Sequence, residues 1–490
     1  MPELPEVEAA TEYYKQSMMT GFMQWFCRTG GKKKRERIMQ ISYFQPKDTY
    51  ISQVMMCFYN KKYYIYYQCD DTRLPQDAGG SQGWNLAVTE DLEHYEVHQM
   101  VLKSAAEAGR RKTLCAGNVV IREERFYACY SVQAGTDAQL VTAVSEDGIH
   151  WTEAVQQLVL PPECEDKFEA MPSLFYEKEA KKWLLTVSAE KKDTAAAYRG
   201  CILQYQSVDF TTWTESEMLW SPMRYEKIER PAFFTIGKWQ YLLYSEHCDE
   251  GKIHYRKRQK GETGWSAPRR GCLDGRCLEM GGVFSQNGCW CLYGILPIRK
   301  INSELGDWSD CGGVLVHRII QLENGDLSVL PIEEKETQRS DVSALTLENM
   351  QGNAELVFAK QTGTRYRVDF MMEFSELTYR FGVKIYENSA IDSGYAYQFV
   401  PGEQKAEFDR LPNMKWFIYL NKGMAQSVSL TSGKKYPVTV LVQDDISVLY
   451  VDGVAISARM KEKPGDELKF YVESGKLTVS EITLDREAVK

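Results

Sequence analysis

The sequence predicts an all-β chain, a five-bladed β-propeller followed by a C-terminal β-sandwich. Three observations carry this. A phrase of alternating aromatic and aliphatic residues recurs five times, with centres about 50–63 residues apart. A second short apolar run precedes every copy. After a polar interval, strand-length runs resume in a different style and without cysteine. Strand-rich units at such a spacing mark a propeller, and 490 residues exceed what one ordinary core organises.

Residues 1–38 stand apart from the repeat. The stretch ATEYYKQSMMTGFMQWF reads as one amphipathic helix over 9–26, followed by the basic loop GGKKKRER. Such a helix is free to pack on the propeller or on a second copy of the chain, which leaves a homo-oligomer open. The N-terminus is acidic and lacks an apolar h-region, so no secretory signal is expected.

The propeller is expected over 39–333. Its five phrases are KKYYIYYQ (61–68), RFYACYS (125–131), KKWLLTVSA (181–189), KWQYLLYSE (238–246) and GCWCLYGIL (288–296). Period-2 alternation between turn signals predicts strands. The preceding runs, SQVMMCFY, AGNVVIRE, AMPSLFYE, RPAFFTIG and GGVFSQNG, are the first strands of their blades and line the central channel. A second phrase follows the first three units: AVTEDLEHYE (87–96), AVSEDGIHWTE (143–153) and YQSVDFTTWTE (205–215), with a weaker copy at 255–268. Polar residues opening the first strands converge at one channel mouth: Asp48, Asn118, Glu169, Glu229 and Glu279. The three glutamates fall at nearly equivalent places, ahead of Phe175, Phe233 and Phe284, and form a candidate acidic ring.

Residues 334–352 read as a charged linker with a short helix, and 353–490 as the sandwich. Its strand runs are AELVFAK, YRVDFMMEF, TYRFGVKIY, YAYQFV, KWFIYL, YPVTVLVQD, ISVLYVDG and ELKFYVESG.

Composition bounds the function. The chain is 43% hydrophobic and 26% charged, and no stretch approaches eighteen uninterrupted apolar residues, so a membrane span is excluded. A net charge of -9 disfavours nucleic acid as a partner. The 29 tyrosines and 11 tryptophans suit strands and, where rings line a cleft, sugar binding. Thirteen cysteines, an odd number at irregular spacings, all fall between Cys27 and Cys311 and point to reduced thiols in the cytoplasm. Neither Cys272/Cys277 nor Cys289/Cys291 has zinc-knuckle spacing, and His94 and His98 follow a strand phrase in which a four-residue step shares no metal face, so no metal is expected.

Cleavage of a glycosidic bond takes two carboxyl groups, one donating a proton and one acting as nucleophile or base, and needs no cofactor. Several acids at one channel mouth raise each other's proton affinity. Glu229, in KIERPAFF, is the leading acid, with Arg230 placed to hold an anion; the structural alternative pairs Glu229 with Arg230 or Arg224. Asp48, Glu169 and Glu279 are the candidate partners, with Asn118 beside them and Trp84 and Trp308 as aromatic rims for a sugar.

These motifs, in this order, resemble glycoside hydrolase family 32, the β-fructosidases. GWNLAVTEDLEHYE is similar to that family's W-G-H-A-x-S-x-D-L-x-H-W, AGNVVI to its S-G-S-x-V strand, and RGCILQYQSVDFTTWTE to its G-x6-S-x-D-L-x-x-W. The resemblance covers roughly 45–333, and the later LYVDG resembles the family's C-terminal module. It implies a propeller followed by a sandwich, in agreement with the repeat. It also implies that Glu229, in IERP, corresponds to the acid/base glutamate of E-C-P. The stretch Ile51-Ser52-Gln53-Val54 stands where the nucleophilic aspartate of N-D-P-N-G belongs, and Ala170-Met171-Pro172 where R-D-P belongs. One of three catalytic carboxylates is therefore in place, and Gln53 and Met171 become substrate contacts.

Three accounts follow: a glycosidase with redeployed carboxylates, a catalytically silent sugar binder, or an enzyme whose glycoside needs no protein nucleophile. The expected ligand is a small carbohydrate, fructose-containing or a sugar phosphate. A scaffold for protein contacts is the class-level alternative. The opening MPELPEVE also resembles the start of formamidopyrimidine-DNA glycosylases, but their zinc finger needs four cysteines near the C-terminus, where this chain has none.

Overall fold

The structure, a computed structural model, describes residues 41–486 apart from 48, 70–82, 93, 104–112, 135–136, 169–170, 247–250, 301–303, 305, 333–343 and 413–422. The helix and basic loop expected over 1–38 lie outside the described residues, as do the opening MPELPEVE and the strand expected at KWFIYL. Every regular element among the described residues is a strand or a short 3-10 turn.

Five antiparallel blades are formed. Blade 1 runs through Ile51–Tyr59, Lys62–Cys69, Gly83–Thr89 and Glu96–Lys103, and blade 2 through Thr113–Arg122, Arg125–Ala134, Asp137–Ser145 and Thr152–Gln156. Blade 3 has Ser173–Glu177 innermost, then Lys182–Lys191, Gly200–Ser207 and Thr214–Trp220; Cys164–Phe168 extends the inner position. Blade 4 has Ile228–Ile236, Trp239–Glu246 and Ile253–Gln259, with bridges from Lys257 to Ser266 and from His254 to Cys272 in place of a fourth strand. Blade 5 has Glu279–Gln286, Cys289–Arg299 and Trp308–Gln321.

Local chemistry explains the repeat. The first hairpins of blades 1, 2 and 5 close over two residues that both take positive φ: Asn60-Lys61, Glu123-Glu124 and Asn287-Gly288. That geometry matches the strand twist. The recurring S/T-x-D phrase makes the turn between third and fourth strands. Ser145 Oγ accepts from the Gly148 N–H at 2.9 Å and Asp147 Oδ1 from the His150 N–H at 2.8 Å. Thr89 and Asp91 repeat this with Leu92 and His94, and Asp209 accepts from Thr211 and Thr212. The ring closes by a strand the repeat did not announce: Tyr43–Phe44 pairs with Trp308–Gln321, so the N-terminal end of the propeller completes its last blade.

Ten strands among the described residues make the second module, in two layers that share the 20-residue strand Glu467–Arg486. Its first half pairs with Arg380–Asn388 and its second with Arg365–Phe374. The switch falls at Ser474-Gly475, where a Cβ on Gly475 would lie 2.5 Å from Thr378 Oγ1. Leu345–Ala359 pairs along the same strand. The expected linker at 334–352 is corrected here: 345–352 are already strand, because their polar residues sit on an edge exposed to water, and 333–343 lie outside the described residues.

The two modules are joined by buried polar contacts. Asp274 accepts from the Ser457 N–H (2.8 Å) and Ser457 Oγ (2.5 Å), and lies 2.9 Å from Nε2 of fully buried His317. His317 Nδ1 is 2.8 Å from the Tyr450 hydroxyl. Arg459, also buried, donates to Asp445, to Tyr43 and to the Pro297 carbonyl.

Candidate active site

Each inner strand loses register with its neighbour at the same height. In blades 2, 4 and 5 the irregularity falls between Cys115 and Asn118, Glu229 and Ala232, and Glu279 and Gly282. In blade 1 it falls between Ile51 and Gln53, and in blade 3 the inner position is interrupted between Phe168 and Ser173. Bulges re-aim side chains and break pairing at functional sites. Positive φ at Met171, Arg230 and Met280 belongs to this level. Glu229 and Glu279 thereby occupy strictly matching places on adjacent blades, opposite Ser245 and Ile295, and both are half-buried.

The blades are stitched together at the same level by side chains bonded to main chain. Gln53 Oε1 of blade 1 accepts from the Ala116 N–H of blade 2 at 3.2 Å. Asn118 of blade 2 donates to the Leu174 carbonyl (2.8 Å) and accepts from the Leu174 N–H (2.6 Å) in blade 3. Thr186 Oγ1 of blade 3 donates to the Pro231 carbonyl of blade 4 at 2.7 Å. Arg230 of blade 4 donates to the Met280 carbonyl of blade 5 and, at 2.9 Å, to the Val54 carbonyl of blade 1.

Below these stitches the channel holds a cavity of about 830 Å³, walled by the inner strands of all five blades. Asn118, Met171, Arg230, Phe233, Phe284 and Tyr293 are among its lining residues. Tyr293 reaches the channel because residue 282 is glycine: a Cβ there would lie 2.4 Å from the Tyr293 hydroxyl. Burial pushes the Tyr293 phenol up, against the opposing pull of the Arg230 guanidinium. Arg230 itself is pulled down from its usual range by burial.

The residues expected from the sequence divide accordingly. Glu229, Glu279, Gln53, Asn118, Met171 and Arg230 fall on the bulge level of the inner strands. Gln53 and Asn118 spend side-chain bonds on neighbouring blades. Asp48 and Glu169 lie outside the described residues. Trp84 does not form a rim: it is 0% exposed, in the core between blades 1 and 2. The strand that carries it is covered on both sides, so alternation did not separate inner from outer rings. Trp308 is half-buried, with the Arg299 guanidinium 3.5 Å from its ring centre. His94 and His98 each contact a neighbouring carboxylate, Asp91 and Glu96, and no metal-holding cluster occurs among the described residues.

Missed altogether were Thr186 and Tyr293. Neither carries a local signal, since each acts through a partner in another strand or another blade.

Residues 43–260 match the family model described as the glycosyl hydrolases family 32 N-terminal domain. No curated protein matches the chain. Among solved structures, an exo-inulinase from Aspergillus awamori superposes with a TM-score of 0.68 at 12% identity, covering 92% of this chain and 99% of that one. A sucrose-6-phosphate hydrolase from Lactobacillus gasseri gives 0.65 at 15% identity, covering 90% and 92%. Fructan 1-exohydrolase IIa from Cichorium intybus gives 0.67 at 12% identity, covering 90% and 96%. These likenesses establish the shared fold, propeller and sandwich together.

Proposed function

Since the chain belongs to glycoside hydrolase family 32, we propose that it hydrolyses a small glycoside, fructose-containing or a sugar phosphate, at the mouth of the propeller channel. The observation that carries this is the placement of Glu229 on the blade 4 bulge, directly before Arg230-Pro231, where the family keeps its acid/base glutamate. Glu229 is the proton donor to the leaving oxygen. Glu279 is the described carboxylate best suited to partner it, because the repeat sets it in the matching place on the next blade; Asp48 and Glu169 remain proposed as partners from the sequence. The odd cysteine count supports a cytoplasmic setting, and with it a small imported substrate rather than a polymer.

A second reading has its own observation. Residues 51–54 contain no carboxylate, and a thioether, Met171, lines the cavity where the family's R-D-P motif belongs. A chain without either aspartate binds sugar and does not cleave it.

Free monosaccharide released from a panel of small fructosides, glucosides and galactosides and their 6-phosphates separates the two. Turnover by the wild type, cut a hundredfold or more in Glu229→Gln, is the expected result. Binding without release by either protein establishes the second reading.

A further inference from the structure

The channel cavity and the mouth are separate places. Glu229, Glu279 and Gln53 do not wall the cavity, which runs from Arg230 and Met171 down to the hairpin end, where Glu123, Lys178 and Gly288 are exposed. Arg230 stands at the boundary, 6% exposed, and walls the inner end of the cavity. Its bonds go to neutral acceptors, the carbonyls of Met280 and Val54, and the rest of its five N–H donors have no acceptor among the described residues. None of the ion pairs among the described residues includes it. Glu229, next in the chain, acts on it electrostatically without coming within ion-pair distance. Tyr293, also buried, walls the same end, and its phenol and the guanidinium act on each other electrostatically.

At the hairpin end the charges are matched. Arg122 lies 2.9 Å from Glu123 and Lys260 2.9 Å from Glu179. Glu177 belongs to that end as well. It stands four residues along the strand from Ser173, which pairs with Thr186 at the level of Pro231. That separation is about 13 Å. No carboxylate among the described residues therefore meets Arg230 from the cavity side. Water in the cavity satisfies the spare N–H groups but not the charge, and a buried guanidinium without a counter-charge is costly to hold.

From this we propose that the inner end of the channel cavity is a site for one small monovalent inorganic anion, chloride being the plainest case, held by the Arg230 guanidinium and the Tyr293 hydroxyl. A single cation calls for a single negative charge, which sulfate exceeds. The cavity, about 830 Å³, has room for the ion and part of its hydration shell, and its hairpin end gives a route that does not cross the mouth. With its charge met from this side, Arg230 does not draw Glu229 into an ion pair, and Glu229 is left to the mouth. The site is separate from the sugar site, and the inference does not depend on the carbohydrate reading.

Melting curves of the full chain test it in sodium glutamate at fixed ionic strength, with chloride, nitrate or sulfate replacing glutamate stepwise. Chloride or nitrate raises the melting temperature by about 2 °C or more and then levels off, as a saturable site requires. In Arg230→Gln the rise is lost. In Tyr293→Phe the half-saturating concentration grows about fivefold or more. Sulfate acts only by exclusion from the surface, without saturation and equally in the wild type and Arg230→Gln. Should Arg230→Gln fail to fold, bromide in wild-type crystals locates the site by its anomalous scattering, beside Arg230 and Tyr293 on the cavity side. The inference is overturned by the absence of a saturable rise, a rise that persists in a folded Arg230→Gln, half-saturation unchanged in Tyr293→Phe, saturation by sulfate through Arg230, or bromide found only elsewhere. Each of those leaves the carbohydrate reading standing, and failure to release any sugar leaves the anion site standing.

Discussion

Arg230 of blade 4 donates to the main-chain carbonyl of Val54 in blade 1, at 2.9 Å, although blade 5 stands between those blades in the ring. One side chain thus ties the floor of the channel to the far side of the closure. Gln53, Asn118 and Thr186 make the other blade-to-blade bonds near the register irregularities of the inner strands, the level at which Glu229 and Glu279 lie.

Asn118 carries the joint between blades 2 and 3 with two short bonds to Leu174. Asn118→Ala leaves both main-chain groups of Leu174 unsatisfied and lowers stability by about 2–3 kcal/mol. Urea denaturation measures it, and an unchanged midpoint would show that the joint is redundant.

Trp84 is a core residue and not a sugar rim. Trp84→Ala is expected to cost about 3–5 kcal/mol of stability. Trp84→Phe keeps the fold and leaves sugar affinity at the wild-type value. A tenfold loss of affinity in that milder variant contradicts the placement.

Asp274 joins propeller to sandwich through Ser457 and His317. Asp274→Ala strands the buried partners of this carboxylate, and a loss of about 3–5 kcal/mol follows. Scanning calorimetry should then resolve two transitions in place of one. A single transition at the wild-type temperature contradicts the joint.

Acid sensitivity is written into the repeated turns. Burial pushes the Asp147 carboxyl up, but the N–H groups of His150 and Ile149, the His150 ring and the Ser145 hydroxyl outweigh it and hold it well below its usual range. Asp209 is held low by the N–H groups of Thr212 and Thr211. A carboxyl depressed on folding contributes its full share above its unfolded value, near pH 4, and loses it as pH falls through the folded value. Melting temperature therefore drops less steeply below pH 4 in Asp147→Asn than in the wild type. Parallel curves would show that this turn contributes nothing.

What was legible and what was not divide along one physical line. The five inner runs and the S/T-x-D phrase are local patterns, and each became the strand or turn that its period and capping chemistry specify. The acidic positions Glu229 and Glu279 followed from counting along the repeat. The bulges did not, because they are set by register between strands rather than by any run of residues. The same holds for Tyr43–Phe44 closing blade 5 and for the shared strand Glu467–Arg486, whose partners lie far off in sequence. Trp84 misled because a strand covered on both faces gives every large side chain a buried place.

The proposed role of Glu229, delivery of a proton to the leaving oxygen, is tested by comparing Glu229→Gln with the wild type on two substrates of one sugar, an alkyl glycoside and an aryl glycoside with an acidic phenol. A proton donor matters only where the leaving group is poor. The variant should lose a hundredfold or more in kcat/KM on the alkyl glycoside and less than tenfold on the aryl one. Equal losses on both would contradict the assignment of Glu229 as the acid.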